Sequence, residues 1–441
     1  MKTKIKYGWL LCLLVFSACN SWIDITPSDR LNEDMLFEDR QGFEKAINGV
    51  YVGLVDRSLY GRNLSAGVID LMAQYYKYGN GSDFNSMLGA YKYEEQNVKD
   101  VFQVIWEKAY ALILNCNIII EKCDERQDVL PGVYYGLYTG KEVLALLNED
   151  IKNALTCLEK DPIREGKLKD VSGDGFMNAR QMRVNYFAVK ALQARVAMWG
   201  DDLETAKAAA GEILEIADDI FPWVTTSDIS VTEDKDRDFT FSTEHIFALN
   251  VKDLKDLANT WFLTSGNGQQ LYCQNYTMQQ WYEIGRGNAV GGNDYRVNYI
   301  MKQQETGSKD YVIRKYYQPD NYKADYAKRL PMIRRSEMAY IMAECLMGVD
   351  NDKALGYLNE VRRHRGIDSD LTDASKLRDE LTKEYAKEFL AEGQLFYYCK
   401  RNELAKFPYG YQSATEDNVY VLPKPDNEIE FGDYYTTDNT K

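Results

Sequence analysis

The strongest constraint in this sequence is a helix hairpin that occurs twice. Arg180 to Trp199 and Leu203 to Ala217 read as helices joined only by a short Gly200-Asp201 connection, with Asp201 or Asp202 placed to cap the second. Arg334 to Gly348 and Asp350 to His364 repeat the pattern with the same short connection. In the first pair Ala191, Ala194, Ala197, Ala206 and Ala209 put small side chains where two helices can cross closely. Ala343, Ala354 and Leu358 do the same in the second.

Most of the remaining chain is helical in pattern. Phe43, Ile47, Val50 and Leu54 form an amphipathic stripe. Val98 to Cys123 reads as a long buried helix ending before Pro131, Leu144 to Leu158 as another ending at Asp161-Pro162, and Leu371 to Lys400 as a last long helix. Asp70 to Tyr93, Phe221 to Pro331 and the tail from Phe407 are less regular, and His245 to Asn250 is the one convincing strand. The pairs resemble tetratricopeptide units of about 34 residues, which stack into a curved scaffold without chemistry of their own. The expected fold is mainly α: a tetratricopeptide-like helical-repeat scaffold with an irregular, loop-rich face and few short strands.

The N-terminus reads as an address. Lys2, Lys4 and Lys6 precede the nine-residue apolar run Gly8 to Phe16, the layout of a secretory signal. A spanning helix needs about 20 apolar residues. Phe16-Ser17-Ala18-Cys19 has the shape of a lipobox, in which the Cys19 thiol is acylated after residues 1–18 are removed. That cleavage strips three lysines and no acids, so the formal charge of -15 becomes -18. Such a balance opposes binding to nucleic acid or to an anionic membrane surface. Membrane attachment is expected through the lipid alone.

Six cysteines follow Cys12 and Cys19: Cys116, Cys123, Cys157, Cys273, Cys345 and Cys399. None forms a CxxC pair and the chain has two histidines, so free thiols are expected and zinc is not. Cys116 and Cys123 are separated by about 10 Å of helical rise, beyond the ~7 Å limit for a disulfide.

Several constellations have competing readings. Glu384, Glu388 and Glu392 form a ladder on one helix face, with Glu337 and Glu344 on another. Two carboxylates about 5–10 Å apart could serve a glycoside hydrolase; pairing with Lys383, Lys387, Arg334, Arg335 or Arg401 to lock helices together is the better reading. Asp170-Val-Ser-Gly-Asp-Gly175 lacks the bidentate Glu of a calcium loop, and Asp234-x-Asp236-x-Asp238 lacks its Gly, so both read as turns and no metal is expected. His245 and His364 lack a nucleophile partner. The 33 tyrosines cluster. Tyr75, Tyr76 and Tyr78 with Phe84, Tyr91 and Tyr93 form one group. Trp261, Phe262, Tyr272, Tyr276, Trp281 and Tyr282 form another, interleaved with Asn259, Asn275, Gln279 and Gln280. Aromatic faces mixed with amides suit a sugar, though many of these rings are expected to pack loops onto helices.

Three blocks of sequence resemble the SusD/RagB family of outer-membrane nutrient-uptake lipoproteins of Bacteroidetes. The first runs from Cys19-Asn-Ser-Trp-Ile-Asp-Ile-Thr-Pro27 through Phe37–Phe43 to Ala46–Tyr51. The second runs from Arg183 to Arg195, with Asp234–Arg237 and Glu244–Phe247. The third comprises Arg334–Glu337, Ala343-Glu344, Ala354–Asn359, Val361-Arg362, Arg365-Gly366, Glu384–Phe389, Glu392-Gly393 and Tyr420–Pro425 with Glu428-Ile429. The pattern departs from the family at Gly140-Lys141-Glu142, which runs straight into the next helix, so one scaffold helix is expected to be missing.

The resemblance implies one domain over residues 19–441, with an N-terminal part 19–220, a loop-rich part 221–331 and a C-terminal helical part 332–441. It implies a non-catalytic surface lipoprotein, without cofactor, that captures a nutrient, most often a glycan, and passes it to a TonB-dependent (SusC-like) transporter. Ligand-binding residues are expected on the loops: Asp70, Tyr75, Tyr76, Tyr78, Phe84, Tyr91, Trp261, Trp281 and Tyr282. The alternatives are a peptide-binding member of the family, a helical scaffold for a surface complex with no small-ligand site, and a lipid-anchored hydrolase.

Overall fold

The computed structural model describes residues 36–78, 81–123, 139–168, 175–263, 270–284, 290–410 and 419–431. Its contacts divide the chain into two compact units, residues 1–50 with 114–130 and residues 51–113 with 131–441. In the smaller unit lie most of helix α1 (Arg40–Leu54), whose start is steadied by Phe37 against Phe43 at 4.9 Å, and the end of helix α2 (Gln96–Cys123). The run read as a buried helix is covered on one stripe only. Of its residues just Val98 and Phe102 are buried, while Val104, Ile113, Leu114 and Ile120 are exposed. Its apolar residues go round the helix, and a single neighbouring core cannot cover all faces.

The larger unit contains both hairpins. Helix α3 (Gly140–Cys157) starts at a capping box between Thr139 and Glu142. Helix α4 (Tyr186–Trp199) begins six residues later than the pattern suggests, because the Asn185 side chain accepts from the Ala188 amide at 2.9 Å. The preceding Arg180–Met182 is a 3-10 turn. Asp202 caps helix α5 (Leu203–Ile220). After the short helix α6 (Asn275–Trp281), the second hairpin pairs α7 (Arg335–Leu346) with α8 (Asn351–His364), capped by Asp350.

Helices α3, α4, α5, α7 and α8 pack in succession, so the two hairpins stack as repeats. The small residues sit at the crossings: Ala191, Ala194, Ala197, Ala206 and Ala209 are each at most 5 % exposed, in a core completed by Ile213 and Ile341. Ala343, Ala354 and Leu358 are fully buried in the other, larger core.

The expected single helix over 371–400 is two. Helix α9 (Leu377–Glu388) stops, the chain turns through Ala391 and Gly393 at positive φ, and helix α10 (Leu395–Arg401) follows. Side chains from distant segments satisfy the freed carbonyls. Arg334 donates to Glu388 O at 2.8 Å, Lys315 to Leu390 O at 3.0 Å and Tyr316 to Ala391 O at 2.7 Å.

Strand β1 (His245–Asn250) is where the alternation predicts it. Four more short strands lie in the irregular region: β2 (Tyr272–Cys273), β3 (Met301–Gln303), β4 (Tyr311–Ile313) and β5 (Arg329–Arg334). β5 pairs antiparallel with β1, and β2, β4 and β3 form a second antiparallel sheet in that order. The fold is mainly helical, with the loop-rich region between α5 and α7.

Candidate functional site

The structure places seven of the nine predicted loop residues in the interior: Asp70, Tyr75, Tyr76, Tyr91, Trp261, Trp281 and Tyr282 are buried. Tyr78 and Phe84 are half-buried against the same core. The physical reason, for Asp70, Tyr75, Tyr76, Tyr91, Trp281 and Tyr282, is that their polar groups are already used within the protein. Tyr75 donates to Ala386 O at 2.9 Å, Tyr76 to Ala66 O at 2.8 Å, Tyr91 to Met72 O at 3.0 Å and Tyr282 to Lys387 O at 3.2 Å. Trp281 donates from its indole to Pro408 O at 2.9 Å, and its ring meets Tyr75 edge-on at 5.1 Å. Tyr75 and Tyr282 thereby fasten their segments to α9 and Trp281 to the tail, while Tyr76 and Tyr91 bond within the 66–91 segment; being buried, these five present no open face to a ligand. Cys19 lies outside the described residues.

The exposed part of the second aromatic group forms a different surface. In the three-stranded sheet, Tyr272 is paired with Val312 and Val312 with Lys302, so all three side chains leave the same face. The opposite face carries Cys273, Tyr311, Ile313 and Met301 into the core. The segment that ends at Tyr78 runs beside β2. Lys77 N donates to Tyr272 O at 2.9 Å, and its ammonium lies 5.9 Å from the Tyr272 ring while pairing with Asp310 at 3.0 Å.

At the edge of the sheet an open hollow of about 440 Å³ is lined by Leu263, Lys302, Gln303, Gln304, Glu305, Thr306, Val312 and Arg314; Lys302 and Val312 belong to this face, whereas Gln303 is paired with Tyr311 of the other. A wide π-type turn over Asn259–Leu263 brings the chain to it, and such turns recur at functional sites. At its edge the Asn275 carbonyl oxygen accepts from Gln279 and from Gln303, each at 3.2 Å. Beside that amide row Tyr276 is 59 % exposed. The hollow itself offers the amides of Gln303 and Gln304; Tyr272 shares the sheet face of its Val312 and Lys302, and the exposed Tyr276 follows Asn275 in the chain. Asn275, Gln279, Tyr272 and Tyr276 stood in the sequence group that holds this site. Lys302, Gln303 and Gln304 were missed, although the polar run between β3 and β4 marks a surface hairpin.

The carboxylate ladder is not at this surface. Glu384, Glu388 and Glu392 are buried with Asp294 and Glu244 among Arg296, Lys315, Arg334, Arg365 and Lys387. Arg365 bridges Glu244 and Glu388, donating at 2.6 Å to each. Burial alone would raise the Glu388 carboxyl; the guanidiniums of Arg365 and Arg334 outweigh it and hold the group well below the usual range. Glu337 is paired bidentately with Arg195, and Glu344 with Arg401. Locking of helices is the role these contacts describe.

Asp234 pairs with Arg237 and Arg314, and Asp238 accepts from the Thr240 and Ser242 amides. No cluster of three metal-ligating side chains occurs among the described residues. Asp170 and Asp174 lie outside them. Burial pushes His245 well below the ordinary histidine range, and its Nε2 is 2.9 Å from Thr240 O. Among the described residues no helix is long and apolar enough to cross a membrane.

Residues 243–440 match the model of the SusD family. No curated protein sequence matches the chain. Among solved structures, a SusD superfamily protein from Bacteroides thetaiotaomicron is 17% identical and aligns with a TM-score of 0.67 over 89% of this chain and 98% of that one. A SusD superfamily protein from Bacteroides vulgatus is 16% identical, with a TM-score of 0.60 over 83% and 89%. Surface glycan-binding protein A from Bacteroides thetaiotaomicron, in complex with laminarihexaose, is 18% identical, with a TM-score of 0.59 over 89% and 97%. The C-terminal region of the chain is thus similar to the SusD family, and the chain shares the fold of these SusD superfamily structures.

Proposed function

We propose that this chain is a cell-surface protein that binds a glycan without altering it, is held to the outer membrane by a lipid on Cys19, and hands its ligand to a TonB-dependent transporter. The observation that carries the binding half is the open hollow lined by Gln303 and Gln304, whose Gln303 amide reaches Asn275, the neighbour of the exposed Tyr276. A sugar ring presents apolar C–H faces and a periphery of hydroxyls. A tyrosine face covers the first, and amides can both donate to and accept from the second. The same fold carries laminarihexaose in surface glycan-binding protein A.

The burial of seven predicted site residues favours a second reading, a scaffold with no small-ligand site. The two separate in a screen by affinity electrophoresis and calorimetry against laminarin, starch, xylan and mannan, with a peptide library alongside. Retardation by at least one polysaccharide supports the proposal. Binding of peptides alone replaces the substrate, and binding of neither leaves the scaffold. The anchor and the transporter step follow from the family and have their own tests. Cys19→Ala should move the protein out of the membrane fraction, and a TonB-dependent barrel should co-purify with the native protein.

A further inference from the structure

The repeat helices enclose a second cavity, of about 220 Å³, between α4, α7, α9, α10 and the turn before Leu64. Its walls include the aromatic side chains of Tyr60, Trp199 and Tyr397 and the polar groups of Arg195, Glu337 and Gln394. None of these residues belongs to the loop hollow.

Two features set this cavity apart from a packing defect. The first is its unspent hydrogen bonds. Tyr60 and Tyr397 are half-buried, and among the described residues neither hydroxyl has a protein partner, whereas Tyr75, Tyr76, Tyr91, Tyr93, Tyr282 and Tyr316 all donate to backbone carbonyls. Hydroxyls left accessible in this way are free to bond a molecule that enters the cavity, water or ligand. The second is rigidity. Arg195 is held by Glu337 at 2.6 and 2.7 Å and by Met332 O at 2.8 Å, and Tyr385 stacks on Tyr398 at 4.0 Å in the wall itself. The site is preformed, so little ordering free energy is lost on binding.

The charges inside cancel, since Arg195 is matched by Glu337 and Arg401 by Glu344. A charged ligand would gain no net attraction. An apolar ligand would leave the two phenols, and the Gln394 carbonyl oxygen, without partners. The occupant that fits is small, neutral and rich in hydroxyls, with one apolar face to lie on an aromatic ring. Trp199, 41 % exposed at the entrance, supplies such a ring. We propose that this cavity is a second carbohydrate site, sized for a single sugar residue and independent of the loop hollow. It goes beyond the function proposed above, which concerns the hollow alone. Two sites on one chain would hold a polysaccharide by avidity, with the second contact made at the effective concentration set by the first.

Saturation-transfer NMR with glucose, galactose, mannose and N-acetylglucosamine tests it, on the native chain, on Tyr60→Phe/Tyr397→Phe and on Tyr276→Ala. The double variant keeps both rings and removes only unpartnered hydroxyls, so its melting temperature should not fall. Saturation of at least one monosaccharide should survive Tyr276→Ala and drop at least fivefold in the double variant. Retention in the double variant, loss in both variants, or no saturation of any sugar by the native chain each overturns the second site. Retardation of the native chain and of the double variant by a polysaccharide, abolished by Tyr276→Ala, would still uphold the loop hollow, so the two proposals fail separately.

Discussion

The Asp70 carboxylate accepts a hydrogen bond from the Gly393 amide at 3.0 Å, across 323 residues of sequence. Gly393 sits at φ +71, and a Cβ there would lie 2.5 Å from the Leu64 carbonyl oxygen. The loop helix Val68–Met72 and the break between α9 and α10 are therefore fitted to each other. Gly393→Ala meets both the left-handed backbone and that carbonyl, and should destabilise the fold by about 1–3 kcal/mol. Urea unfolding measures it.

Asp70 itself has a role opposite to the one its loop position suggests. Burial raises its carboxyl well above the ordinary range, outweighing the amides of Ala391 and Gly393. Asp70→Asn keeps an oxygen for the Gly393 amide and removes a charge that is costly to bury. Its stability should stay within about 1 kcal/mol of the native chain, with glycan retardation unchanged. A selective loss of binding at unchanged stability would return Asp70 to the ligand site.

What could be read in the sequence follows from how local its causes are. The α4–α5 and α7–α8 hairpins depend on caps and small residues within a few positions of each other, so Asp202 and the alanines announce them, whereas the Asn185 cap that starts α4 goes unread in the sequence, where the helix begins six residues early. The fate of the tyrosines depends on carbonyls that sequence cannot place nearby: Tyr75 on Ala386, Tyr282 on Lys387, Tyr93 on Val419. An aromatic and amide cluster looks the same whether its hydroxyls meet sugar or backbone. For the same reason the 371–400 helix seemed unbroken, since its interruption is stabilised by Lys315, Tyr316 and Arg334 from other segments.

The buried charge network makes stability sensitive to acid. Burial raises the Glu384 carboxyl, but Arg296 and Lys387 outweigh it; like Glu388 it titrates well below the ordinary value in the folded chain. Carboxyls depressed by folding stabilise fully above the unfolded value of about 4.3, and that contribution is lost as pH falls through the depressed values. Glu388→Gln leaves Arg334 and Arg365 with one carboxylate fewer and should cost about 3–5 kcal/mol at neutral pH. Its stability should also fall less steeply than that of the native chain between about pH 5 and 3. Denaturant melts across that range measure both.

The thiols give an independent check of the packing. Cys123 and Cys157 are exposed, Cys116 is half-buried, and Cys273, Cys345 and Cys399 are buried. Burial pushes Cys345 up to about 11, and Cys273 is also raised well above the ordinary thiol range. Because the thiolate is the reactive form, a disulfide reagent at pH 8 should modify Cys123 and Cys157 fast, Cys116 more slowly, and the other three only after unfolding. Mass spectrometry of peptides labelled in the native state identifies them.

Tyr276 and Tyr282 lie six positions apart, one on α6 and one just beyond it, and they divide binding from folding. Tyr276 is 59 % exposed next to Asn275, whereas Tyr282 is 1 % exposed and donates to Lys387 O. Tyr276→Ala removes a surface ring, so stability should change by no more than about 0.5 kcal/mol. If that ring stacks on sugar, the stacking contribution of about 0.5–1.5 kcal/mol disappears with it, a roughly two- to twelvefold weaker dissociation constant by calorimetry. Tyr282→Ala empties a core position and should cost about 3–5 kcal/mol of stability, with affinity unchanged in whatever fraction stays folded. The reverse pattern, binding lost at Tyr282 with the fold intact and nothing lost at Tyr276, would move the ligand from the hollow to the packed side of the sheet, where the structure leaves it no room.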